Sequence, residues 1–100
     1  MIRHIVMFKL KRTGDKESLE ETKMEIKTRL EALPSLISVI RSMEVGINVM
    51  DQARAFDVVL VSTFDNLKDL ETYRVHPAHQ EFVAYVGQIR EQVASVDYEI

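Results

Sequence analysis

The segment Tyr73-Arg74-Val75-His76-Pro77-Ala78-His79 brings a phenol and two imidazoles close together in the chain. An imidazole titrates near neutral pH, so it can take up a proton and return it. A phenol can orient a carbonyl oxygen or hydrogen-bond developing negative charge. Proline suits the first turn of a helix, which puts His76 at the cap of the helix that follows. Counted from His79 along that helix, Val83, Val86 and Phe82 lie at about 40°, −20° and −60°. His79 therefore belongs to an apolar stripe, and Tyr73 projects from the same side of the preceding turn. His4 shares an alternating strand face with Val6 and Phe8. If that face meets the helices, His4, Tyr73 and His79 enter one pocket, lined by Val6, Phe8, Ile26, Leu60, Phe82, Val83 and Val86. Burial there favours the neutral imidazole, the form that accepts a proton. The competing reading is structural: a buried histidine satisfies a backbone carbonyl, and a tyrosine at a helix end anchors packing.

Other chemistries find less support. His76 and His79 are three apart and could join His4 as nitrogen ligands. However, His76 belongs at a cap, and no carboxylate sits at helical spacing on the inner face, so no metal site is expected. The absence of cysteine excludes disulfides and thiolate ligation. There is no glycine-rich phosphate loop, nucleophile elbow or dinucleotide fingerprint, and no cofactor is expected. Met7, Met24, Met43 and Met50 are scattered, as core filler usually is, and do not form a haem or ligand box. The 13 basic and 16 acidic residues are mixed and sum to −3, leaving no basic stripe for nucleic acid. No stretch is long or apolar enough to span a bilayer, so no membrane partner is expected. The opening residues read as a strand, not a signal peptide, and the cytoplasm is the default location.

The elements that must position these residues follow from periodicity. Residues 2–11 alternate, with His4, Val6, Phe8 and Leu10 on one face and Arg3, Ile5, Met7 and Lys9 on the other. A helix follows, capped by Ser18 in a capping box or by Asp15. Leu19, Ile26, Leu30 and Leu33 recur at helical spacing, Lys16, Glu20, Lys23, Lys27 and Glu31 read as mostly solvated, and Pro34 ends the helix. The Ile- and Val-rich stretch 36–47 reads as a second strand and 48–55 as a loop. Residues 56–64 form the clearest strand, apolar on both faces at its centre. A second helix carries Leu67, Leu70 and Tyr73 on one side. After Pro77 comes the stripe Phe82, Val86, Ile89 and Val93. Val96, Tyr98 and Ile100 then alternate with Asp97 and Glu99 as a final half-buried strand.

The order β-α-β-β-α-β over residues 1–100 is that of a single α+β domain with a ferredoxin-like fold. Two helices cover one face of an antiparallel sheet whose first and third strands are central. Ile5, Met7, Val59 and Val61 then face the uncovered side. An apolar patch of that kind marks an interface, and two sheets packed face to face would give a homodimer.

The residues Ile2 to Lys9, Leu33-Pro34, the strand 56–64 and above all Tyr73-x-x-His76-Pro77-x-His79-x-x-Phe82 resemble the Dabb, or stress-responsive α/β-barrel domain, family. The resemblance covers essentially the whole chain. It implies a ferredoxin-like subunit of a dimeric α+β barrel, in a family whose members mostly have no assigned activity. One plant branch consists of polyketide cyclases that catalyse an aldol condensation without a cofactor. The resemblance carries their catalytic histidine and tyrosine onto His79 and Tyr73, and their supporting histidine onto His4. This chain departs from that branch at Thr22, Lys23 and Ile26, where the plant enzyme is aromatic, and at Val83, where it has glycine. Both changes reshape the cavity. Some plant relatives also bind a cation through main-chain carbonyls that correspond to Leu30, Leu33 and Leu36.

Two functional classes follow. One is a cofactor-independent, aldol- or cyclase-type acid–base enzyme acting on a small apolar carbonyl ligand. The other is a non-catalytic ligand-binding or stress-protective dimeric barrel. An open pocket beside His79 favours the first, and a pocket plugged by Ile26, Phe82 and Val83 favours the second.

Overall fold

The computed structural model describes residues 1–100. The elements in chain order are β1 (Ile2–Leu10), α1 (Lys16–Glu31), a 3₁₀ turn (Leu33–Ser35), β2 (Ser42–Ile47), β3 (Val58–Phe64), α2 (Leu67–Val75), α3 (Pro77–Gly87) and β4 (Arg90–Glu99). The sheet order is β2-β3-β1-β4, and every pairing is antiparallel. This is the expected α+β, ferredoxin-like arrangement with β1 and β3 in the middle.

Alternation along β1 decides which face is covered. Ile2, His4, Val6, Phe8 and Leu10 are buried, whereas Met7 on the other face is exposed. The partners of those buried positions on β3, namely Phe64, Ser62, Leu60 and Val58, are buried as well. The core therefore lies between this sheet face and the helices, with Ile26, Leu30, Leu70, Tyr73, Phe82 and Val86 contributed from the helical side.

The helix starts have identifiable caps. Asp15, not Ser18, caps α1: its carboxylate accepts from the Ser18 amide at 2.8 Å. Asn66 caps α2 through the Asp69 amide at 2.8 Å. Leu67 stands in the first turn of α2 and is exposed, so only Leu70 and Tyr73 of the expected trio face inward.

Three other expectations change. The second strand begins at Ser42, because residues 36–41 turn instead of extending. The amides of Leu36 and Ile37 both donate to the Leu33 carbonyl at 2.9 Å. Ile37 and Ile40 thereby reach the core from a turn, where packing overrides their β propensity. At the other end, α3 stops at Gly87 and β4 begins at Arg90, so Val93 lies on a strand and not on the helical stripe.

Lys23 is the third change: it is buried, not solvated. Its ammonium lies 3.0 Å from Glu20 and 3.9 Å from Asp57. Asp57 is also buried and accepts from the Leu10 amide at 2.8 Å and from the Arg12 guanidinium at 2.8 and 3.0 Å. Burial pushes the Asp57 carboxyl up, but the hydrogen bonds from Arg12 and Leu10 and the charges of Arg12 and Lys23 outweigh it. They hold the group below the usual carboxylate range. This cluster ties the end of β1 to α1 and to the start of β3.

No helix is long and apolar enough to cross a membrane.

Candidate functional site

The site is built around the break between α2 and α3. His76 ends one helix and caps the next, with extended backbone at φ −64° and ψ 137°. Its Nδ1 accepts from the Ala78 amide at 3.0 Å, and Pro77 fills the first turn, where no amide proton is needed. His76 is thus committed to its cap, as the sequence suggests. With the Ala78 amide taken, the Arg74 carbonyl lacks the donor that a continuous helix would supply. His79 Nδ1 donates to it at 3.0 Å and Gln80 Nε2 at 2.7 Å. Because a carbonyl only accepts, the neutral His79 ring carries its proton on Nδ1, and Nε2 keeps a lone pair.

Tyr73 stands beside it. The two rings lie 4.3 Å apart between centroids at an interplanar angle of 42°. Tyr73 also packs on Phe64 at 5.1 Å and on His4 at 6.0 Å. The residue is only 1% exposed, and its hydroxyl has no hydrogen-bond partner. Burial pushes this phenol well above its usual range, so it stays protonated and able to donate. Burial also lowers His79. The hydrogen bond to Arg74 opposes that shift, and the charges of His4 and Arg74 add to it.

His4 completes the cluster from the sheet. The β1–β4 register sets it opposite Asp97, and its Nδ1 is bonded to the Asp97 carboxylate. Only Nε2 of His4 is left for another partner. Asp97 was not among the expected site residues, since it reads as the polar half of a terminal strand. Its position relative to His4 becomes visible only when β4 is paired with β1. On the same strand, Val96 and Tyr98 turn to the open sheet face and are exposed.

These groups border a cavity of about 240 Å³. His4, Tyr73, His79, Val6, Phe8, Leu60, Phe82, Val83 and Val86 all line it. Ile26 does not: it is fully buried in the core. Val83 is 43% exposed and sits at the rim, so it does not plug the space. Arg74, Arg90, Val93 and Ser95 also line the cavity and were not expected. The last three come from β4, whose early start the sequence hides.

A larger hollow of about 590 Å³ lies between Met7, Gly46, Val59 and the loop before β3. It carries no imidazole or phenol, and its one carboxylate of note, Asp57, is already paired with Arg12. The smaller cavity is therefore the candidate site. No three side chains among His, Cys, Asp and Glu gather as a metal site. Among the leucine carbonyls, Leu33 accepts from two amides, as described above.

A ferredoxin-like α+β subunit with two imidazoles and a phenol gathered between helices and sheet is the class these features define. The sequence model of the stress responsive A/B barrel domain, or Dabb, matches residues 2–100, and the chain belongs to this family. An uncharacterized protein of Streptomyces coelicolor is 34% identical over 100 residues, covering 99% of each chain. A dimeric protein of unknown function and ferredoxin-like fold from Bacteroides fragilis is 39% identical. Its structure superposes with a TM-score of 0.88, covering 99% of this chain and 95% of that one. The hydroxynitrile lyase of Passiflora edulis shares the fold at a TM-score of 0.81 and 20% identity, covering 99% and 92% of the two chains.

Proposed function

We propose that this chain is a cofactor-independent acid–base catalyst acting next to the carbonyl of a small apolar ligand, and that it works as a homodimer. The observation that carries the reading is the Tyr73 hydroxyl, buried without a partner on a residue that lines the cavity and stacks beside His79. A buried, unpaired hydroxyl costs about 1–3 kcal/mol, a cost a ligand oxygen would remove. His79 Nε2 takes the proton from the carbon next to the carbonyl, and the C–H electron pair becomes the enolate. Tyr73 donates to the enolate oxygen. In an aldol or cyclase step the enolate carbon attacks a second carbonyl carbon, and His79 returns its proton to the new alkoxide. His4, held by Asp97, packs edge-on against Tyr73 at 6.0 Å and supports the position of that ring. The cavity falls below the roughly 300–1,000 Å³ usual for drug-sized ligands, which favours a small substrate. The Passiflora edulis lyase makes catalysis on this scaffold a reasonable precedent.

The homodimer reading rests on the open sheet face. Ile5, Met7, Val59 and Val61 stand there on the two central strands, extended by Val96 of β4. The Bacteroides fragilis relative is described as dimeric. A second reading, a non-catalytic ligand-binding or stress-protective barrel, is favoured by one observation: His79 is already bonded to a backbone carbonyl.

Deuterium exchange separates the two readings. In D2O the protein should accelerate exchange of the methyl protons of acetophenone, read by NMR. A ketone that binds without faster exchange leaves only the non-catalytic reading.

A further inference from the structure

The proposed proton transfer leaves one charged group at the cavity unused. Among the ionisable side chains that line it, Arg74 is paired with Glu71 at 2.5 Å and His4 is bonded to Asp97. His79 is bonded to a carbonyl. Arg90 is partly buried and has no ion pair or side-chain hydrogen bond. A guanidinium is a fixed cation with five donors, shaped for a carboxylate.

Its place in the fold gives the ligand a direction. His79 lies in the first turn of α3, and Arg90 follows the helix's last turn as β4 begins. His79 and Val86, seven residues apart on α3 and both lining the cavity, are separated by about 10 Å along the axis. The sheet has the same order: His4 faces Asp97 at one end, Phe8 faces Val93 further along, and Leu10 faces Arg90. The wall between the two ends is apolar, made of Val6, Phe8, Phe82 and Val86.

We propose that Arg90 binds an anionic group, so that the substrate is a small carbonyl compound with a carboxylate at the end remote from the reacting carbonyl. This rests on the acid–base reading of His79 and Tyr73 and adds the substrate's charge and polarity. The space of about 240 Å³ equals about eight waters at ~30 Å³ each, enough for a short chain or a single ring. Arg90 also suits the negative end of α3, and that role asks nothing of a ligand.

The test uses 4-acetylbenzoate, whose ketone and carboxylate stand at opposite ends of one ring, and its neutral methyl ester. Binding is measured by NMR titration of the wild type, Arg90→Met and Tyr73→Phe. The wild type should bind the acid at least about tenfold more tightly than the ester, the scale of one charge-assisted hydrogen bond. Arg90→Met should bring the acid down to the ester and leave the ester unchanged, while Tyr73→Phe should weaken both. Equal binding of acid and ester to the wild type overturns the proposal and leaves the acid–base site standing. A preference that survives Arg90→Met also overturns it. Failure of both compounds to bind at millimolar concentration removes this proposal together with the reading it rests on.

Discussion

Tyr73 and His79 face each other across 4.3 Å between ring centroids, one with its hydroxyl unpartnered and the other with Nδ1 on the Arg74 carbonyl. Each ring is held in place by groups other than the one left for chemistry. Tyr73 is fixed by Phe64 and His4, and His79 by the helix break at His76-Pro77.

Tyr73→Phe keeps that ring packing and removes only the hydroxyl. Because the hydroxyl has no partner, its loss should raise stability by about 1–3 kcal/mol, the cost of burying it unpaired. Ligand binding and proton exchange should both fall. Urea unfolding checks the first half; a loss of more than about 1 kcal/mol would mean the hydroxyl is bonded in the folded protein.

The lowered His79 pKa fixes the sign of a pH effect. Its folded value lies below the ordinary 6.5, chiefly through burial. The unfolded state therefore binds more protons between the two values. The stability this contributes is fully present above 6.5 and is lost as pH falls towards the folded value. The base form should persist below 6.5 too, so exchange activity should hold at that pH and decline only under more acid conditions. An NMR titration of His79 with a midpoint above 6.5 would contradict this.

Much of this arrangement was legible in the sequence, for local reasons. Alternation in β1 sets His4, Val6 and Phe8 on the covered face, and helical spacing sets His79 with Phe82 and Val86. The cap at His76 follows from its proline. What stayed hidden depends on pairing between distant segments. Asp97 reads as solvated until the register places it opposite His4, and Arg90 reads as helix until β4 starts there. Lys23 reads as a surface residue because its buried partner, Asp57, lies on the far side of the loop. Ile26 shares the helical period of the core but is fully buried there and does not line the pocket.

The Asp57 cluster carries its own acid signature. The carboxyl is held below its ordinary value of 3.8, so its contribution to stability is present above that pH and is lost as pH falls through the folded value. Asp57→Asn should cost about 1–3 kcal/mol at neutral pH and flatten the loss of stability below about pH 4. Urea midpoints from pH 2 to 7 test both effects, and parallel curves for variant and wild type would exclude this role.

The homodimer should be obligate, with folding linked to association. Val61→Asp places a charge on the open face between Ile5 and Glu44. It should give unfolded or aggregated protein, while the wild type sediments as a dimer at low micromolar concentration. A wild type that sediments as a stable folded monomer would sink the assembly.

His79→Ala asks with two readouts on one variant whether His79 serves chemistry or the fold. The Arg74 carbonyl keeps its second donor, Gln80, at 2.7 Å, so the substitution strands no acceptor. If His79 is the base, the variant should show a stability change within about 1 kcal/mol in urea unfolding, together with loss of acetophenone proton exchange. A loss of more than about 1 kcal/mol, with exchange at the wild-type rate, would contradict it.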